Sequence, residues 1–176
     1  MRKESRESPD CFLIILFLLV LPSMVCALES SLISFKVKDQ FDRVYTDWQF
    51  RGSILIIIGS DKDGSKYNEI WTQAIYDSLK AEENFDRVKF LGVADVRGVP
   101  FFLKGYVRGK FPKDDEKWVL LDWKRAFAKA YEFEPEMSNV AIFDQRGALA
   151  HRAYGQTIDK DKLAVILAEL KSLMAD

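Results

Sequence analysis

VLLDWKRAFAKAYEFEPEMSNVAIFDQRGALAHRAYGQ, residues 119–156, is the stretch from which the fold can be read. It opens inside KWVLLD (Lys117–Asp122), a run of apolar residues that reads as a strand closed by an acidic residue. From Trp123 to Phe133 the apolar positions Ala126, Phe127, Ala130 and Tyr131 recur at three- and four-residue spacing, which predicts a short helix with one inward face. Val140–Asp144 (VAIFD) and Ala148–Tyr154 (ALAHRAY) then form two strands around Gln145-Arg146-Gly147, a hairpin turn with glycine at its end. Strand, helix and hairpin in that order predict a mixed sheet whose last strand is an antiparallel edge.

Upstream, Ile54–Ile58 (ILIII) is unbroken, mostly β-branched and bounded by Gly52 and Gly59, the pattern of a central strand buried on both faces. Ser34–Lys38 (SFKVK) alternates as a short edge strand does. After the polar turn DKDGS, a helix is predicted over Lys66–Glu82, with Ile70, Trp71, Ala74, Ile75, Ser78 and Leu79 facing the sheet. Arg87–Val96 reads as a second buried strand, and the aromatic Pro100–Phe111 segment as a short helix or irregular insertion. Downstream, Asp159 stands where an N-cap should, before a helix whose buried stripe is Leu163, Ile166, Leu167, Leu170 and Met174. The expectation is an α/β fold, a mixed central sheet with helices on both faces and one inserted segment.

The chain has 176 residues, room for one domain, and 48% of them are apolar, which excludes a disordered polypeptide. Net charge is −1 with both signs interspersed, so no electrostatic footprint for nucleic acid is present. Residues 11–22 (CFLIILFLLVLP) form an apolar run too short to span a bilayer and suited to a signal peptide. Val25-Cys26-Ala27 offers a cleavage site after Ala27. The expected division is a signal peptide over 1–27 and one domain over 28–176, periplasmic or secreted. The alternative is an uncleaved segment that anchors the chain to a membrane through residues 11–27. Cleavage removes Cys11 and Cys26, the two cysteines of the chain, and leaves a domain in which no disulfide can form.

The element order and residues 119–156 resemble the thioredoxin-like superfamily, in its redoxin branch with an element inserted before the third core strand. The layout is also similar to the cysteine-poor YtfJ-like family of bacterial periplasmic proteins. The resemblance spans about Phe35 to Met174. It implies Cys-x-x-Cys, or a lone cysteine, at the helix start after the first central strand, where a helix N-terminus favours the thiolate. Asp63-Gly64-Ser65-Lys66 occupy that place here, with Asp63 expected to act as an N-cap. The resemblance also implies a cis-proline before the strand at Val140. Ser138-Asn139 stand there, and an ordinary trans peptide is expected.

Other constellations are weaker. His151 is a lone histidine expected half-exposed on a strand, and it cannot assemble a zinc site or a triad by itself. Asp61, Asp63, Ser65 and Glu69 alternate oxygens as a Ca²⁺ loop does, but the glycine falls at the fourth place rather than the sixth, so no metal is expected. Asp95 and Asp122 end strands and could pair for acid–base work, although turn formation explains them as well. In the insertion, Phe101, Phe102, Tyr106, Arg108 and Phe111 interleave aromatics with bases. Aromatics are by default core residues. This segment is nevertheless the best candidate for a partner surface, able to take a peptide or an anionic headgroup.

These readings favour a non-catalytic binding or adaptor module with no cofactor and an unidentified protein partner. The alternative is a redoxin-type thiol oxidoreductase or peroxidase that keeps Cys11 or Cys26 in an uncleaved precursor.

Overall fold

Ile54–Ser60 (β3) is buried along its whole length, because both faces of the sheet are covered around it. The computed structural model describes residues 30–175. The segment read as signal or anchor, with Cys11 and Cys26, lies outside them. β3 pairs in parallel with Val88–Asp95 (β4), which pairs in parallel with Leu120–Asp122 (β5). On its other side β3 pairs antiparallel with Ser138–Phe143 (β6), and β6 with Leu149–Gly155 (β7). The result is a mixed five-stranded sheet of order β5-β4-β3-β6-β7.

Side chains alternate across the sheet and divide the core in two. Ile54, Ile56 and Ile58 pack with helix α1 (Asn68–Leu79) and the last helix, Lys160–Ala175. Leu55 and Ile57 pack instead with Phe35, Phe50, Phe127 and Tyr131, contributed by the N-terminal segment and the short helix Ala126–Ala130. Helices therefore cover both faces, and every residue of the two clusters' buried cores lies between Phe35 and Met174. No helix among the described residues is long and apolar enough to cross a membrane.

Several elements are shorter than the sequence predicts. α1 is preceded by a 3-10 turn at Ser65–Tyr67, and its buried stripe is Trp71, Ile75 and Leu79 at strict four-residue spacing. Ile70 falls off that stripe and is 48% exposed. The Ala126–Ala130 helix is delayed because Asp122 Oδ2 accepts a hydrogen bond from Phe127 N (2.9 Å) and Arg125 adopts a left-handed backbone (φ 60°). That rotates Phe127, Ala128 and Tyr131 inward and leaves Ala130 exposed.

Lys36–Lys38 (β1) does not join the main sheet. It pairs antiparallel with Val44–Thr46 (β2), a strand the sequence did not signal, and a single bridge from Asp39 to Leu120 ties this ribbon to β5. The turn between them is organised by buried Asp39, whose carboxylate accepts from Phe41 N (2.8 Å) and Arg43 N (2.9 Å) and pairs with Arg43 Nε (2.6 Å). The inserted segment contains a 3-10 turn at Phe101–Leu103 continuing into helix α2 (Lys104–Arg108). Helix α3 is Ala126–Ala130 and α4 is Lys160–Ala175. Asp159 caps α4 as expected, its carboxylate accepting from Asp161 N (2.9 Å) and Lys162 N (3.2 Å).

Candidate functional site

The corner between β3 and α1 is closed by backbone contact. Gly64 is buried so tightly against the loop before β6 that a Cβ there would stand 2.3 Å from Met137 O and 2.7 Å from Met137 N. Its φ of −78° is open to any residue, so space alone demands glycine. Asp61 clasps the two segments together: Oδ1 accepts from Gly64 N (2.8 Å) and Oδ2 from Glu136 N (3.0 Å). Asp61, not Asp63, closes the turn. A carboxylate three residues before Gly64 reaches its N–H, whereas Asp63 is exposed and supplies no cap.

Asn139 holds the facing loop from inside. It is 4% exposed; its Oδ1 accepts from Glu134 N (2.7 Å), and its amide lies within reach of the carbonyls of Glu134 (3.0 Å), Met137 (3.1 Å) and Gly59 (3.3 Å). Beside it, Ser60 Oγ accepts from Asn68 Nδ2 (2.8 Å). Ser138 Oγ and Asn68 Oδ1 are buried without a protein partner. No cis peptide occurs among the described residues, as expected for Ser138-Asn139. Of the four residues 63–66, Gly64 alone enters this network. Ser65 bonds back to Lys62 O (2.7 Å), and the Lys66 ammonium lies 5.0 Å from the Tyr67 ring.

The other candidates are occupied by structural work. Asp122 caps α3 and also accepts from Lys124 N (3.1 Å), while Asp95 accepts from Arg97 N (3.1 Å) and faces the guanidinium groups of Arg97 (3.4 Å) and Arg125 (3.6 Å). Glu69 points to Lys117 (3.4 Å), and no group of three or more His, Cys, Asp or Glu side chains gathers among the described residues. His151 lies half-buried on β7 opposite Ile142. A cleft of about 210 Å³ beside β6 and β7 touches Asn139, but its one arginine, Arg152, is bound to Glu132 Oε2 (2.6 Å) and Tyr131 O (3.1 Å).

The insertion is different. Phe101, Phe102 and Tyr106 are exposed, whereas Arg108 is partly buried and Phe111 half-buried over a groove of about 410 Å³ shared with Gln40, Phe41 and Lys113. The β1–β2 turn fastens its base. Buried Gln40 donates to Lys117 O (2.9 Å) and accepts from Val119 N (2.9 Å), and Asp42 pairs with Arg108 (2.5 Å). Nothing in the local pattern of KDQFDR announced this role.

Sheet order, the antiparallel hairpin and the helix that follows β3 give a thioredoxin-like α/β fold. Solved structures with this fold include the pneumococcal exposed lipoprotein thioredoxin Etrx1 from Streptococcus pneumoniae, 18% identical, with 78% of this chain matched to 99% of that one at a TM-score of 0.55. BsSco, a member of the Sco family of cytochrome c oxidase assembly proteins, is 14% identical over 84% of this chain and 95% of its own (TM-score 0.57). Peroxiredoxin Q from Xanthomonas campestris is 16% identical over 80% and 92% (TM-score 0.53). No family model and no curated protein matches the chain. At these identities the shared property is the fold.

Proposed function

We propose that this chain is an exported thioredoxin-like protein of redoxin, YtfJ-like type that works as a binding or adaptor module and not as a thiol oxidoreductase. The observation that carries the reading is the corner after β3. The resemblance puts the thiol motif at residues 63–66, which hold no thiol, and Gly64 there packs tightly against the Met137 backbone. Asp61 and Asn139 hold that packing with hydrogen bonds to six backbone groups around it. A corner packed in this way, with no thiol at residues 63–66, supports binding over thiol exchange. Binding then falls to the insertion, whose aromatic side chains are exposed on a base fixed by Gln40 and Asp42.

The test has two arms, both on the protein recovered after export. In the first, peroxide reduction and insulin-disulfide reduction are assayed. The expected rate equals buffer, and a rate above buffer restores the oxidoreductase reading. In the second, the protein is used as bait beside a version with residues 100–111 replaced by a Gly-Ser linker. Ligands lost on replacement support the module; an unchanged set contradicts it.

A further inference from the structure

Residues 97–113 (RGVPFFLKGYVRGKFPK) carry five cations and no aspartate or glutamate in a chain whose net charge is −1. On this basic segment Phe101 is 82%, Phe102 71% and Tyr106 65% exposed. Rings this exposed project from the surface and do not line a depression. Phe102 and Tyr106 are four residues apart where the 3-10 turn runs into α2, which places them on one side.

The way the cations are used discriminates between ligands. Both arginines, the side chains suited to bidentate recognition of a carboxylate, are engaged internally: Arg97 with Asp95 (3.4 Å) and Arg108 with Asp42 (2.5 Å). Lys104, Lys110 and Lys113 have no carboxylate partner among the described residues' ion pairs. The Lys104 ammonium lies 4.8 Å from the Trp123 ring and that of Lys110 4.7 Å from the Tyr106 ring. Free ammonium groups beside projecting aromatic rings match a layer of phosphate headgroups above an apolar zone, a target that asks for charge and depth but not fixed geometry. An acidic peptide is held best by a free arginine in an open groove, and in the adjoining groove Arg108 is already paired with Asp42.

We propose that residues 97–113 are a membrane-contact surface, with Phe101, Phe102 and Tyr106 entering the interfacial zone of an anionic bilayer and Lys104, Lys110 and Lys113 meeting its headgroups. This rests on the reading of the insertion as the binding surface and names its ligand. One short patch gives reversible attachment that weakens with salt.

Co-sedimentation tests it, using the exported protein with its N-terminus read from intact mass and vesicles of phosphatidylcholine alone or mixed with phosphatidylglycerol. Binding is expected to the mixed vesicles and to fall with added salt. Lys110→Glu with Lys113→Glu weakens it by about fivefold or more per charge, and Phe101→Ser with Phe102→Ser by about tenfold or more. These exposed substitutions leave the thermal midpoint unchanged, which separates lost binding from lost folding. Equal sedimentation with both vesicle types, or variants that bind as the parent does, overturns the proposal. If vesicles fail while bait experiments yield an acidic protein that depends on residues 100–111, the membrane assignment falls and the binding-module reading stands. If neither ligand depends on the insertion, both fall.

Discussion

Gly64 and Met137, seventy-three positions apart in the chain, lie backbone against backbone, so that a single methyl group on residue 64 would reach 2.3 Å from the Met137 carbonyl oxygen. The contact welds the start of the helical region after β3 to the loop that leads into β6. It leaves no room for a side chain at position 64.

Gly64→Ala is therefore expected to destabilise the fold by about 1–3 kcal/mol, the range for forcing atoms into a filled site. The cost is steric, since φ at this position is ordinary. Gly105→Ala is the matched control: it lies in α2 with open space around its Cβ, and should be neutral or stabilising by up to about 1 kcal/mol. Chemical denaturation of the two variants compares them directly. Equal effects would show that the Gly64 contact is loose.

Removing the clasp should loosen the same corner without touching the core. Asp61→Ala leaves Gly64 N and Glu136 N without their acceptor, at a cost of about 1 kcal/mol. Amide hydrogen exchange should accelerate at those two residues and remain unchanged in β3. Unaltered exchange at Glu136 would mean that the loop is held by other contacts.

Tyr131 offers a pH signature. Its hydroxyl accepts from Ile33 N (2.7 Å) at the base of α3, and burial pushes its ionisation up to about 12 from the ordinary 10.0. The folded state thus favours the neutral phenol. The stability this contributes is complete below pH 10, where the unfolded chain also keeps its proton, and is lost as pH rises toward 12. Tyr131→Phe should lower stability at neutral pH by about 1–3 kcal/mol through the orphaned Ile33 N–H. It should also flatten the alkaline decline, as read from denaturant midpoints across the pH series. A parallel decline in both proteins would place the titrating group elsewhere.

Much of the framework was legible because it rests on local rules. ILIII is continuous since β3 is buried on both faces, and Asp159 caps the helix that follows it by one residue. The site was harder to read. Asp61 and Asp63 are both plausible turn residues in DKDGS, and what selects Asp61 is Glu136 N, seventy-five positions away. β2 is three residues long and owes its pairing to the Asp39–Arg43 turn, so no periodicity could mark it. In the insertion, PFFLKGYVRGKF has no apolar stripe, and composition alone could not tell that Phe101 projects while Phe111 folds back over the groove.

In the function proposed above, the exported domain works with no sulfhydryl group. The decisive measurement is the intact mass of the exported protein after denaturation and treatment with iodoacetamide. The mass of residues 28–176 with no alkyl adduct is the predicted result. A protein that retains Cys26 and takes up the label, and in its native state turns over a disulfide, would contradict it.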